Sequence, residues 1–199
     1  MTAVLAAIGA VVVVLLVSLL VMYNRFVRQR TLVDESWHGI DVELTRRHDL
    51  VPNLVATVKG YADHERAVLE ALTDAREAAA AHKDAAPHAR EPFEEALTAS
   101  VQRVLARAEA YPDLKASANY LQLQDELTIT EDRIAAARRF YNGNVRAYNT
   151  RLATFPSNLV GSTFHFERRE FFELRDPAAR TAPVVDLDQT AADTPATKE

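Results

Sequence analysis

The stretch "ELTRRHDLVPNLVATVKGY", residues 43–61, decides how the chain folds. Leu44, Arg47, Val51, Leu54 and Val58 recur at alternating steps of three and four, which aligns them along one face of a helix. Two features disturb the pattern. Arg46, Arg47, His48 and Asp49 stand side by side, and Pro52 follows in what should be a helix interior. Proline has no N–H, so the carbonyl of His48 loses its helical partner. Upstream, Trp37 and Ile40 begin the stripe. Downstream, Tyr61, Glu65, Val68, Leu72 and Ala75 continue it with no change of phase. The register therefore predicts one long helix kinked at Pro52. The alternative is a break there, with Asp49 as N-cap of a new helix.

Toward the N-terminus, "AVLAAIGAVVVVLLVSLLVM" at residues 3–22 carries no charge. Twenty residues at ~1.5 Å each cross a ~30 Å hydrocarbon core. No basic residue precedes the run, so it reads as an uncleaved anchor rather than a signal peptide. Tyr23 and Phe26 suit the membrane interface, and Arg25, Arg28 and Arg30 form a basic flank facing lipid headgroups. Such a flank sits on the cytoplasmic side, which leaves the N-terminus outside.

Toward the C-terminus, "HKDAAPHAREP" at residues 82–92 reads as a loop, with a second helix beginning near Pro92 and showing Phe93, Leu97, Val101 and Leu105. "YPDLK" at 111–115 marks a corner. A third, long helix carries Ala116, Tyr120, Leu123, Leu127, Thr130, Ile134, Ala137 and Tyr141, then resumes after a stutter with Val145, Tyr148, Leu152 and Phe155. Pro156 ends it. Phe164, Phe166, Phe171, Phe172 and Leu174 predict a short helix or strap that closes the structure. Three units follow: an anchor over 1–24, a bundle over 25–175, and a disordered acidic tail over 176–199. The fold class is all-α, an N-terminal transmembrane helix followed by an antiparallel, coiled-coil-like bundle of three long helices plus a short fourth element.

Composition narrows the chemistry. The chain has 199 residues, no cysteine and a formal net charge of −5. Thiol nucleophiles, disulfides and Cys-ligated metals are excluded, and nucleic acid is not an expected partner. His64-Glu65 opens the H-E-x-x-H metal pattern, but Val68 stands where its second histidine belongs. With five scattered glycines there is no phosphate-cradling loop. Neither catalysis nor a cofactor is expected; a metal-dependent hydrolase assembled from distant side chains is the remaining enzymatic alternative.

Arg47 and Glu65 occupy seam positions that normally hold Leu or Ala. A buried arginine must be paired, so Arg47 is expected to reach a carboxylate of the third helix, Glu131 or Glu126, in a polar layer that sets register. The competing reading makes Arg47, Asp49, Pro52, Asn53, Glu131, Arg138, Arg139 and Asn142 a docking surface for a protein partner. Gly60 and Gly143, inside helical patterns, are expected to permit close packing.

Three longer runs bear on kinship: "SWHGIDVELTRRHDLVPNLVATVKGYADHE" at 36–65, "YPDLKASANYLQLQDELTITEDRIAAARRFYNGNVRAYN" at 111–149 and "FPSNLVG" at 155–161. Together they resemble the bacterial LemA family, with His48 in place of a usual tyrosine and Tyr120 in place of a frequent phenylalanine. The likeness runs to about Leu174 and leaves the acidic tail aside. It implies a cytoplasmic helical bundle on a membrane anchor, with no established enzymatic activity. Some such proteins are associated with bacterial organelle membranes and others with envelope maintenance. The expected role is a membrane-tethered adaptor or scaffold with protein partners. A self-assembling, membrane-organising protein is the alternative, and a homo-oligomer is compatible with either.

Overall fold

The computed structural model describes residues 1–61 and 65–174; the predicted acidic tail and His64 lie outside them. Its first element, α1 (Thr2–Lys59), carries the apolar run directly into the bundle as one helix of 58 residues. Pro52 lies inside it, so the break proposed at that position does not occur. The chain turns eight residues later instead, at Gly60 and Tyr61, and a separate α2 (Arg66–Ala81) follows. The predicted first helix is therefore two. The heptad phase continues from Val58 to Leu72 even though the helix ends between them, because each helix needs a stripe of its own and both stripes repeat by three and four.

The remaining elements are α3 (Pro87–Ala108), α4 (Pro112–Lys115), α5 (Ala118–Ala153) and α6 (Ser157–Thr163). Helix α3 begins five residues before the predicted start. Pro87 opens it, where a missing N–H costs nothing, and Pro92 is carried inside. No strand occurs among the described residues.

Helices α1 and α5 form the main pair. Phe26 meets Tyr148, Trp37 meets Tyr141, and Arg47 meets Glu131, so numbers rise along one helix as they fall along the other. Helices α2 and α3 form an antiparallel hairpin, with His82 stacked on Phe93 at one end and Tyr111 bonded to Glu65 at the other. The hairpin covers only the distal half of the α1–α5 pair.

The apolar interior is accordingly in two parts. A distal core joins Leu50, Val51, Leu54 and Val58 to Leu69, Leu72, Leu97, Val101, Tyr120 and Leu127. A proximal core joins Phe26, Val33, Ile40 and Leu44 to Ile134, Tyr141, Val145, Tyr148, Val160 and Phe172. The stutter between Tyr141 and Val145 is present, and both residues are buried. After α6 and a turn at His165, residues 166–174 run as an irregular strap back along α5. Asn149 and Asn142 each clamp the strap backbone with a pair of hydrogen bonds, to Arg169 and Phe172 respectively, at 2.8–3.0 Å. The Tyr141 hydroxyl donates to the carbonyl of Glu170 at 2.8 Å, and burial pushes that phenol up to about 12.

The glycines depart from expectation. Gly60 is exposed and ends α1, and a Cβ on Gly143 would meet nothing within 4 Å. Close approach belongs to Gly161, where a Cβ would stand 2.7 Å from Leu152 Cδ2.

Candidate functional site

Between the two cores lies a layer of buried charge. Leu44 belongs to one core and Leu50 to the other, and Arg47, fully buried, sits between them. Its guanidinium donates to Glu131 Oε1 at 2.8 Å, to Thr98 Oγ1 at 2.6 Å and to Glu94 Oε2 at 2.6 Å. The expected Arg47–Glu131 contact is thus present, but Glu131 is 36% exposed whereas the Glu94 side chain is only 1% exposed. Glu126 lies apart and accepts from Gln122.

Glu94 is the hub. His48 faces Oε2 at 3.2 Å, and since a carboxylate can only accept, the ring donates from Nε2. Arg90 reaches Oε1 at 3.4 Å and donates at 2.8 Å to Asp41 and at 2.7 Å to the carbonyl of Lys83. The Arg90 guanidinium also lies 5.4 Å above the Trp37 ring, linking the layer to the proximal core. Burial alone would raise the Glu94 carboxyl; the His48 hydrogen bond and the charges of Arg47 and His48 reverse this and hold it at about 2. Arg47 Nε and Arg90 Nε are buried with no partner among the described residues. A layer with donors left over adds less stability than register, because buried charges must meet their counterparts for the helices to pack at all.

A second device lies one turn away. The carbonyl of His48, deprived of a helical donor by Pro52, accepts from Arg76 Nε of α2 at 2.9 Å. Proline in α1 thereby becomes an attachment point for α2.

The predicted site residues separate into three groups. Arg47 and Glu131 meet in the layer. Arg138 and Asn142 hold the strap, Arg138 through the carbonyl of Leu174. Asp49, Pro52, Asn53 and Arg139 are exposed and take no part in the layer. His48 is a correction: it falls beside the seam in the sequence yet is 9% exposed, because α3 widens the covered arc of α1. Glu65, assigned to the seam, is the N-cap of α2 and accepts from Tyr111. Glu94 and Arg90 are absent from the sequence expectation, although a signal exists. The buried face of α3 is Leu97, Val101, Val104 and Ala108, and stepping back from it by three and then four gives Glu94 and Arg90. Arg25, Arg28 and Arg30 are exposed on α1. Among the described residues no group of three or more His, Asp and Glu side chains gathers as a metal site.

A protein-family model described as the LemA family matches residues 36–187, so the match spans the seam, the layer and the strap. The chain belongs to the LemA family. The match passes beyond Leu174, where the resemblance of the three quoted runs ends, into the acidic segment. Magnetosome proteins MamQ 1 and MamQ 2 of Paramagnetospirillum magneticum are each 26% identical to it over 204 residues, covering 87% of this chain and 72% of theirs. Protein LemA of Metamycoplasma hominis is 46% identical over 52 residues, 26% of this chain and 24% of its own. The apolar first part of α1 is long and apolar enough to cross a membrane, and none of it is buried against the bundle. This LemA protein is accordingly membrane-associated, with a helical bundle built on its anchor.

Proposed function

We propose that this LemA protein is a scaffold or adaptor held at the cytoplasmic face of a bacterial membrane, with its N-terminus outside and no catalytic step of its own. The observation that carries the reading is the continuity of α1 from anchor to bundle. A tether that only retains a protein at a membrane can be flexible, whereas an unbroken helix fixes the bundle's height and direction. Residues 25–59 extend roughly 50 Å from the bilayer at ~1.5 Å per residue. The basic flank of Arg25, Arg28 and Arg30 supports the cytoplasmic orientation. Charge buried in a register-setting layer supports a rigid presenting surface better than a reaction centre, since Glu94 and both guanidinia are closed off from solvent.

The test is crosslinking in the native membrane followed by affinity capture of the intact protein. Discrete adducts with the same heterologous protein in independent preparations are expected; recovery of nothing above background overturns the adaptor reading. Self-assembly is the second reading, favoured by the exposed Val42, Ile129 and Phe140 at 65%, 47% and 63%. It predicts a ladder of self-adducts instead.

A further inference from the structure

Helix α5 runs back toward the membrane. The Phe26–Tyr148 ring contact at 6.1 Å sets its level against α1. Five residues further along α5 and five residues back along α1, at ~1.5 Å per residue in each, Ala153 stands level with Val21, inside the apolar run. Helix α6 fills the corner at this end. The Cβ position of Gly161 lies 2.7 Å from Leu152 and 3.6 Å from Phe26, and the Tyr23 and Phe164 rings meet edge to face at 4.9 Å. One side of α6 is thus pressed against α1 and α5 through Val160 and Gly161. The outward side exposes Leu159 by 56% beside Ser162 and Thr163, and it is flanked by Phe155, exposed by 75%, and by Phe164, still 45% exposed beyond its contact with Tyr23.

The same end is basic in a chain that is acidic as a whole. Residues 22–30 and 151–169 hold Arg25, Arg28, Arg30, Arg151, Arg168 and Arg169 against one carboxylate, Glu167. Arg169 is paired with Asp34. Burial, and then the charge of Arg25, pushes the Arg151 guanidinium down, so two like charges face each other across α1 and α5. Bare apolar side chains beside unrelieved guanidinia match the boundary between acyl chains and anionic headgroups.

We propose that Phe155, Leu159 and Phe164, with Arg25, Arg151 and Arg168, form a second membrane contact that seats the base of the bundle in the headgroup region of an anionic bilayer. The proposal rests on the reading of residues 3–22 as a membrane span. A partner protein or a second copy could cover the same patch in principle, but its level with Val21 puts lipid there first.

The chain has no cysteine, so single-cysteine variants report cleanly. Leu159→Cys, and Ser162→Cys as a second reporter that removes no apolar side chain, carry an environment-sensitive fluorophore on the full-length protein. Vesicles of phosphatidylcholine, with or without phosphatidylglycerol, contain nitroxide lipids as quenchers. Val13→Cys in the anchor and Ala110→Cys at the distal end are controls. For side chains seated ~5–10 Å into the boundary, quenching at 159 and 162 should exceed that at 110 by about threefold or more. It should deepen with phosphatidylglycerol, and Arg151→Gln with Arg168→Gln should remove that dependence. Reporters at 159 and 162 as wet and unquenched as 110, with 13 strongly quenched, overturn the proposal and leave the anchor standing. An unquenched 13 overturns the anchor as well. Blue-shifted but unquenched α6 reporters mean a protein cover and also overturn it, while quenching indifferent to phosphatidylglycerol refutes the role of the arginines.

Discussion

Glu94 holds the charge balance of the layer, because Arg47, Arg90 and His48 all point at one carboxylate that is 1% exposed. Glu94→Gln leaves two buried guanidinia short of a counter-charge and should cost about 3–5 kcal/mol in chemical denaturation. The pH dependence follows from the same contacts. The folded carboxyl sits at about 2, below its ordinary value of 4.5, so its contribution is complete above pH 4.5 and is lost as the pH falls toward 2. Native protein should lose about 3 kcal/mol across that window relative to Glu94→Gln, whose stability lacks the slope. A mutant cycle ranks the two carboxylate partners of Arg47. The coupling energy between Arg47→Met and Glu94→Leu should exceed that between Arg47→Met and Glu131→Leu, because Glu131 is 36% exposed and water already screens it. Arg47 and Glu131 are legible in the sequence since each interrupts or flanks an apolar stripe. Glu94 is overlooked because Phe93, one residue away, is the more conspicuous marker, although the step of three back from Leu97 leads to it.

At the scale of elements, two attachments hold the secondary pieces to the α1–α5 pair. Arg76 binds a carbonyl that is vacant only because residue 52 is proline. Arg76→Met should therefore cost about 1–2 kcal/mol in the native chain and much less in a Pro52→Ala background, where the new amide restores the helical bond to His48. Equal costs in both backgrounds, measured by denaturation, would sink this account. Asn142 secures the strap through both the N–H and the C=O of Phe172. Asn142→Ala should release the Phe172 amide to hydrogen exchange and change the fluorescence of Trp37, the lone tryptophan, whose ring meets Phe172 at 5.2 Å. The α1 and α5 stripes are readable because each spans many heptads and faces one partner for its whole length. The end of α1 is hidden, since a matching phase on either side of residues 60–65 says nothing about whether the chain reverses between them. The strap is announced by its phenylalanines, but its clamps are not: asparagines on a long helix look like solvent-facing residues until a backbone arrives to meet them.

At the scale of the molecule, orientation and height are set by one helix. On the proposed cytoplasmic orientation, replacing Arg25, Arg28 and Arg30 by glutamate should abolish the charge bias that sets it. A cysteine at position 110 should then become reactive to an impermeant thiol reagent in a fraction of intact cells, while the unmodified flank keeps it protected. The absence of a joint between anchor and bundle also has a mechanical side. Membrane helices tilt to match the thickness of the bilayer around them. In a protein with a loose tether such tilting stops at the surface. Here a change of 10° would swing the far end of a 50 Å rod by roughly 9 Å. Bilayer thickness and the position of the distal tip are therefore geared together, through the single helix that joins them.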